Sequence, residues 1–214
     1  MPDILSKYEV SVILTVYNRE LYLPRSIESL INQNFSGWEL IAIDDGSTDN
    51  SLNVLRSYEE NFPNINVLHQ ENQKIAQSRN KGISLSSGKY ITFLDSDDEY
   101  GESHLLKRTE YMNNHPEVDL LYGGVRIVGN PFVRDRYNPQ NFIHLSDCYI
   151  GGTFFGKRNV FLELNGFKNL NYSEDSDLLI RAKNKFNIEK YNSPTYIYHR
   201  ELSDSLTNSY APKI

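Results

Sequence analysis

Tyr90-Ile91-Thr92-Phe93-Leu94-Asp95-Ser96-Asp97-Asp98 is the stretch that decides the fold of this chain. Its first five residues are apolar, aromatic or β-branched, which predicts a short buried strand. Three carboxylates then arrive within four residues. Backbone at the end of a central strand is rigid, so these side chains would be held together at one edge of a sheet. Crowded carboxylates repel one another unless a cation lies between them, and hard oxygen ligands suit Mg²⁺ or Mn²⁺. Mg²⁺ takes one or two carboxylates and completes its shell with substrate phosphates, which leaves room for a diphosphate. The competing reading is a solvated acidic turn, since Asp is common in turns.

Working outward from this strand favours the first reading. Val10 to Val16 is almost wholly apolar and β-branched, as in a parallel strand buried on both faces. A helix follows, with Pro24 in its first turn and Leu23, Ile27, Leu30 and Ile31 at helical spacing. Trp38 to Ile43 predicts a second strand, ending in Asp44-Asp45-Gly46-Ser47-Thr48-Asp49, where Asp44 suits a helix cap. A helix through Leu52, Leu55 and Tyr58, a strand at Ile65 to His69 and a helix from Ala76 to Leu85 lead back to the opening stretch. This β-α-β-α-β-α-β order predicts an α/β fold, an open and mostly parallel sheet with helices on both faces. Ligands of such sheets sit outside the carboxyl ends of the strands. There the chain places Thr15, Tyr17 and Asn18, then Asp44 and Asp45, then Asp95, Asp97 and Asp98. It has neither a G-x-G-x-x-G nor a G-x-x-x-x-G-K-[ST] phosphate loop, so a metal is expected to meet the phosphates of a bound nucleotide.

The second half is less regular. A helix over Glu102 to Asn114 is expected to turn Leu105, Leu106 and Met112 inward. A single strand is expected over Leu120 to Val128, with Gly123-Gly124 inside it as a bulge or a close backbone approach. Gly129 to Asp147 reads as a polar loop over the site, Gly151 to Phe155 as the entry to a strand, and Tyr196 to His199 as a last strand before a polar tail from Ser203. Ser173-Glu174-Asp175 opens a helix with Leu178, Leu179, Ala182 and Phe186 on one face.

With 214 residues the chain reads as one domain, 1–214. A formal net charge of −6 disfavours a nucleic-acid partner. The single cysteine, Cys148, excludes an internal disulfide, fits a reducing cytosol and reads as a small buried residue. No run reaches the eighteen apolar residues of a membrane span, and the first nine lack a signal-peptide core.

Taken together, the motifs resemble the inverting glycosyltransferases of family 2, with the GT-A fold, from Val10 to about Ser209. The blocks that carry the resemblance are Val12-Ile13-Leu14-Thr15-Val16-Tyr17-Asn18, Asp44 to Asp49, Ser78-Arg79-Asn80-Lys81-Gly82, Gly88 to Asp98, Asn165-Gly166-Phe167 and Ser173 to Leu178. The resemblance implies a Rossmann-like GT-A fold with a nucleotide-binding half over about residues 1–100 and a smaller mixed acceptor-binding half over about 101–214. It implies metal-dependent, inverting transfer of a sugar from a nucleotide-diphosphate sugar, with UDP or dTDP preferred, to an acceptor hydroxyl. Acceptors in the family are often surface polysaccharides or lipid-linked glycans, so a cytoplasmic protein working at the inner face of a membrane, with peripheral association, is expected.

The same resemblance implies roles. Thr15 and Tyr17 border the base, Asp45 accepts its N–H, and Arg79 lies near base and phosphate. Asp95 and Ser96 belong to the nucleotide site, with Asp95 at the ribose. Asp97, with Asp98 as the alternative, holds Mn²⁺ or Mg²⁺ together with His199. Asp175 is the base that deprotonates the acceptor. The chain departs from the family pattern at Gln73-Lys74-Ile75-Ala76-Gln77, where glycines and small residues are usual, and at Ser176, where an aromatic commonly follows the Glu-Asp pair. The alternative function is a catalytically silent sugar-nucleotide-binding protein or a subunit of a transferase complex.

Overall fold

A computed structural model describes residues 7–135, 138, 140–170 and 173–201. In chain order its elements are β1 (Val10–Val16), α1 (Leu23–Ile31), β2 (Trp38–Asp44), α2 (Ser51–Asn61), β3 (Ile65–His69), α3 (Lys74–Leu85), β4 (Tyr90–Asp95) and β5 (Glu99–Tyr100). Then come α4 (His104–Asn114), β6 (Leu120–Tyr122), β7 (Val125–Val128), β8 (Phe132–Arg134), β9 (Phe142–His144), β10 (Phe155–Lys157), α5 (Arg158–Glu163), α6 (Glu174–Lys183), β11 (Ile188–Lys190) and β12 (Tyr196–His199).

Seven strands form the main sheet in the order β11-β6-β10-β4-β1-β2-β3. Only β10 runs antiparallel to its neighbours. The chain winds from β1 out to β3, then crosses to the other side of β1 to lay down β4. The strand order therefore reverses between β1 and β4, and the crevice of an open α/β sheet opens at the carboxyl end of such a switch. Strand pleating sends alternate residues to opposite faces. Val12, Leu14 and Val16 meet Leu23, Ile27 and Leu30 of α1, Leu55 of α2 and Leu105 and Met112 of α4. Ile13, Ile91 and Phe93 meet Ala76 and Ile83 of α3, Phe161 of α5 and Leu178, Leu179 and Ala182 of α6. Three helices cover each face, so the central strands are mostly apolar, as their sequences predict, with Ser11, Glu39 and Thr92 as buried polar exceptions.

The second half corrects several expectations. The strand expected over Leu120 to Val128 breaks at Gly123 and Gly124, whose φ angles of +87° and +74° end β6 in the main sheet and start β7 in another. A side chain at Gly124 would collide with the carbonyl of Ser193, so the break depends on glycine. β7 joins β5 and β12 in a three-stranded sheet that lies beside the acidic loop after β4. The expected loop of residues 129–147 contains the β8–β9 hairpin, with Val133 and Leu145 buried. Gly151–Thr153 is a 3-10 turn rather than the start of a strand, and β10 begins at Phe155. On α4, Leu106 is half-buried while His104, Arg108 and Thr109 are buried, and Phe186 lies beyond the end of α6. Cys148 is half-buried. The polar tail expected from Ser203 lies outside the described residues.

At Gly82 α3 lies tight against β1, where an added Cβ would stand 2.5 Å from Cγ2 of the buried Ile13. Overpacking of this kind costs about 1–3 kcal/mol, more than the ~1 kcal/mol of helix propensity gained by replacing glycine with alanine. Gly82→Ala is expected to lower the melting temperature by at least ~2 °C in a calorimetric scan.

Candidate active site

Thr15 is the penultimate residue of β1, level with Asp95 of β4 on one side and Ile43 of β2 on the other. Tyr17, just beyond the strand, is 49% exposed at the sheet edge. Its neighbour Asn18 adopts φ +52° and accepts the Thr48 N–H at 2.8 Å, while the Asn18 N–H donates to Ser47 Oγ at 3.0 Å. These bonds stitch the loop after β1 to the loop after β2. Asp45 lies inside the second loop, where Oδ1 accepts from Gln70 Nε2 at 2.8 Å and Gln73 N–H at 2.9 Å, and Oδ2 accepts from Lys74 N–H at 2.9 Å. A carboxylate offers about four lone-pair sites, so one remains. Lys74 takes φ +71°, a left-handed conformation that suits glycine, and the bond from Asp45 holds it there. Asp44 does not cap α2; it is fully buried against His69 Nδ1 at 2.6 Å.

The acidic loop after β4 separates its three aspartates. Asp98 is buried, accepting the His199 N–H at 2.8 Å and the Tyr196 hydroxyl at 2.8 Å. Desolvation, then the charges of Asp95 and Asp97, push its carboxyl well above the usual range. Asp97 stands nearer the rim, 3.7 Å from Arg19 Nε, and its carbonyl accepts from Arg25 Nη2 at 2.6 Å. Ser96 is buried between them. His199, which ends β12, has its Nε2 2.6 Å from Glu99 Oε1 and its Nδ1 2.7 Å from Glu201 Oε1.

Asp95 and Asp175 meet through Arg79. This guanidinium, 3% exposed, donates from Nη2 to Asp95 Oδ1 at 2.9 Å and from Nη1 to Asp175 Oδ1 at 2.6 Å, with Glu174 Oε1 at 3.4 Å. Its plane lies over Phe167 at 5.1 Å and Phe93 at 5.8 Å. The next residue, Asn80, bonds both the N–H and the carbonyl of Phe167, so α3 fixes the Asn165-Gly166-Phe167 turn beneath the site. Asp175 sits in the first turn of α6, where Oδ2 also accepts the Gly151 N–H at 2.9 Å. Desolvation pushes its carboxyl up to about 6, reinforced by Glu174 and Asp95 and opposed by Arg79 and the Gly151 bond. One-fifth of the side chain stays open to solvent, so an ionisable group of raised basicity faces the crevice.

The structure brings Arg79, Asp95 and Asp175 into direct contact, whereas Thr15, Tyr17, Asp45 and Ser96 stand along the same strand-end edge. Tyr196, Gly151, Glu174 and Glu99 also belong to this neighbourhood, and the sequence reading assigned them no role. The partners of Tyr196, Glu174 and Glu99 lie 95 to 100 residues away and that of Gly151 lies 24 away, so local periodicity carries no trace of them.

Among the described residues, no group of three or more His, Cys, Asp or Glu side chains is arranged as a cage for an ion. Asp98 is committed to Tyr196 and His199, and Asp95 Oδ1 to Arg79. The rim carboxylate of Asp97, about one-fifth exposed beside Arg19, has the oxygen donors for a cation that takes one or two protein carboxylates and completes its shell from phosphates and water. Ligation by His199 requires one imidazole nitrogen to exchange a carboxylate for the ion.

A family model described as "Glycosyl transferase family 2" matches residues 11–172. A Bacillus subtilis protein, TuaG, named provisionally as a teichuronic acid biosynthesis glycosyltransferase, is 38% identical over 158 residues, covering 72% of this chain and 62% of TuaG. The Escherichia coli protein YibD, an uncharacterised glycosyltransferase, is 44% identical over 94 residues, 44% of this chain and 27% of YibD. The chain thus spans less than two thirds of these relatives. Among solved structures, S. aureus TarS 1-349 in complex with UDP-GlcNAc superposes with a TM-score of 0.78 at 22% identity, covering 95% of this chain and 61% of that one. The mannosyltransferase PcManGT of Pyrobaculum calidifontis, in complex with GDP-Man and Mn²⁺, gives 0.74 at 18% identity, covering 98% and 61%. The GT-A fold is shared with both.

The Arg79 cluster can be tested without any ligand. Arg79→Gln leaves the three carboxylates of Asp95, Glu174 and Asp175 without their shared cation, at a cost below the roughly 3–5 kcal/mol of breaking a fully buried pair because all three keep some solvent contact. Protonation relieves their mutual repulsion. With Arg79 gone the Asp175 carboxyl titrates above its wild-type value of about 6, so the loss of stability is expected to be largest above that range and to shrink as the pH falls toward about 6, read from denaturant midpoints across pH.

Proposed function

The chain belongs to glycosyl transferase family 2, and on that premise we propose that it transfers a sugar, with inversion, from a nucleotide-diphosphate sugar to an acceptor hydroxyl. The observation that carries this reading is the double engagement of Arg79, which joins a carboxylate at the end of β4 to a carboxylate of raised basicity at the start of α6. In this reading residues up to about 100 form the donor half and residues from about 101 the acceptor half. Thr15 and the exposed ring of Tyr17 border the base, and the lone-pair site left on Asp45 accepts its N–H. That acceptor suits uracil or thymine, each of which presents a donor on that edge, so UDP or dTDP is the preferred carrier. The UDP-GlcNAc bound to TarS supports the uridine preference. Asp95 and Ser96 face the ribose, and Arg79 acts on the donor through Asp95.

Asp97, with His199 as a further ligand, would hold Mn²⁺ or Mg²⁺; the Mn²⁺ in PcManGT supports the use of a divalent ion. A bound cation supplies Lewis-acid screening of the charge on the departing diphosphate. Asp175 takes the proton from the acceptor hydroxyl as that oxygen bonds to the anomeric carbon and the bond to the diphosphate breaks on the opposite face. The link of TuaG to teichuronic acid biosynthesis supports a cell-surface polysaccharide or lipid-linked glycan as acceptor. Among the described residues no helix is long and apolar enough to cross a membrane. Work in the cytoplasm at the membrane's inner face, held peripherally, fits such an acceptor.

A calorimetric panel of nucleoside diphosphates, with and without Mn²⁺, tests the donor side. One diphosphate is expected to bind only with metal, and Asp97→Ala to lose it; binding that ignores both Mn²⁺ and Asp97 overturns the donor assignment. Asp175→Asn is expected to lower turnover by about 10²–10⁴-fold with donor affinity kept, as loss of a general base does. A silent binding protein would be indifferent to that change. Since the base acts ionised, kcat is expected to rise with pH through about 6 and level off above it.

A further inference from the structure

The 3-10 turn Gly151–Thr153 touches both halves of the site. On one side the Gly151 N–H donates to Asp175 Oδ2 at 2.9 Å, and a Cβ at Gly151 would overlap Asp175 Oδ1. On the other, a Cβ at Gly152 would overlap the hydroxyl and ring of Tyr196. That hydroxyl donates to Asp98 Oδ2 at 2.8 Å and accepts the Asp95 N–H at 3.3 Å, with Asp95 Oδ2 also at 3.3 Å. Tyr196 is fully buried and packed edge-on against Tyr100, so it has no room to retreat.

The turn itself is clamped from three directions. Thr92 in the middle of β4 donates its hydroxyl to the Phe154 carbonyl at 2.8 Å. Thr153 Oγ1 donates to the Ile150 carbonyl at 2.7 Å and accepts the Gly123 N–H at 3.0 Å. Arg108 is fully buried and donates to the carbonyls of Thr153 at 3.3 Å and Gly123 at 2.7 Å. Burial holds its guanidinium down to about 10. The guanidinium also lies over the Tyr191 ring at 5.4 Å, so the side chain that holds the turn is itself held.

We propose that Gly151-Gly152-Thr153 and Tyr196 are positioning residues of the transfer reaction: one rigid turn sets the base through the Gly151 amide and the acidic loop through Tyr196. The inference rests on Asp175 being the base. Arg79 from α3, Asp95 from β4, Glu174 from α6 and the Gly151 amide are the charged and polar groups that face Asp175. Of these, the amide acts on Asp175 and leaves the acidic loop untouched. Glycine at 151 and 152 lets base and tyrosine close on the turn from opposite sides.

Gly151→Ala and Tyr196→Phe separate the two arms, with Asp175→Asn as the reference. The probes are the diphosphate that the panel selects, UDP on the reading above, and turnover of its sugar nucleotide across pH. Gly151→Ala weakens a bond that favours the ionised base, so the acid limb of kcat is expected to move up by about one pH unit and the plateau to fall about tenfold. Its affinity for the diphosphate is expected to stay within about twofold. Tyr196→Phe keeps the ring and removes the hydroxyl, so affinity is expected to fall about tenfold while the acid limb stays in place. The proposal is overturned if both variants move the same readout, or if both only lower the melting temperature. Should Gly151→Ala not fold, Tyr196→Phe decides alone, and wild-type affinity in that variant sinks the idea. If Asp175→Asn retains turnover, the base assignment itself fails. If Asp175→Asn is inactive but Gly151→Ala keeps the wild-type limb, only the role of the turn fails.

Discussion

One guanidinium holds the centre of this molecule together. Asp95 comes from β4, Glu174 and Asp175 come from α6, and all three converge on Arg79 of α3. Two like charges about 4 Å apart repel by roughly 4 kcal/mol at an effective dielectric constant of ~20, so this convergence is untenable without a cation. Arginine suits the position because its planar fork donates in two directions while its faces rest on Phe93 and Phe167. Burial opposes its charge, and the three carboxylates more than offset that, raising its pKa above the ordinary value. The same contact ties the strand-end edge of the sheet to a helix that begins nearly a hundred residues later, so the crevice has two walls of fixed spacing.

A second constraint falls on the acidic loop. Of its three aspartates, Asp98 turns inward, where Tyr196 and the His199 amide receive it and burial favours its neutral form. This inward turn anchors β12 beside β5 and places His199, Glu99 and Glu201 around the rim next to Asp97. Asp95 is committed to Arg79, while Asp97 stands at the rim beside Arg19. The division of labour follows from direction: one residue faces the sheet edge, one the rim and one the core.

The two constraints share a backbone. The turn at Gly151–Thr153 lies against Asp175 on one side and Tyr196 on the other, and Thr92, Gly123 and Arg108 hold it by backbone and hydroxyl bonds. Buried polar groups of this kind are stable where they find partners, as Thr92, Thr153 and both terminal nitrogens of Arg108 do here. The fold therefore gives the site rigidity through a polar framework laid across the apolar core.

The local sequence was enough to specify the parallel half of the sheet, because a strand or helix buried on a known face writes its period into its own residues. Val10–Val16, Trp38–Asp44 and Tyr90–Asp95 are mostly apolar since helices cover both sides, and the acidic residues at and beyond their ends mark the carboxyl edge. The second half was harder to read. Gly123-Gly124 looks like a bulge in one strand, yet it divides two sheets, because the carbonyl of Ser193 occupies the place of a side chain. Nothing near Asp98 tells it from Asp97; the difference is made by Tyr196, 98 residues along the chain. Likewise Arg79 reads as one arginine on a helix, and only tertiary structure gives it Asp95 and Asp175. Periodicity is a local property that a sequence records, whereas the pairing of charges across distant segments depends on where the finished fold lets their side chains meet.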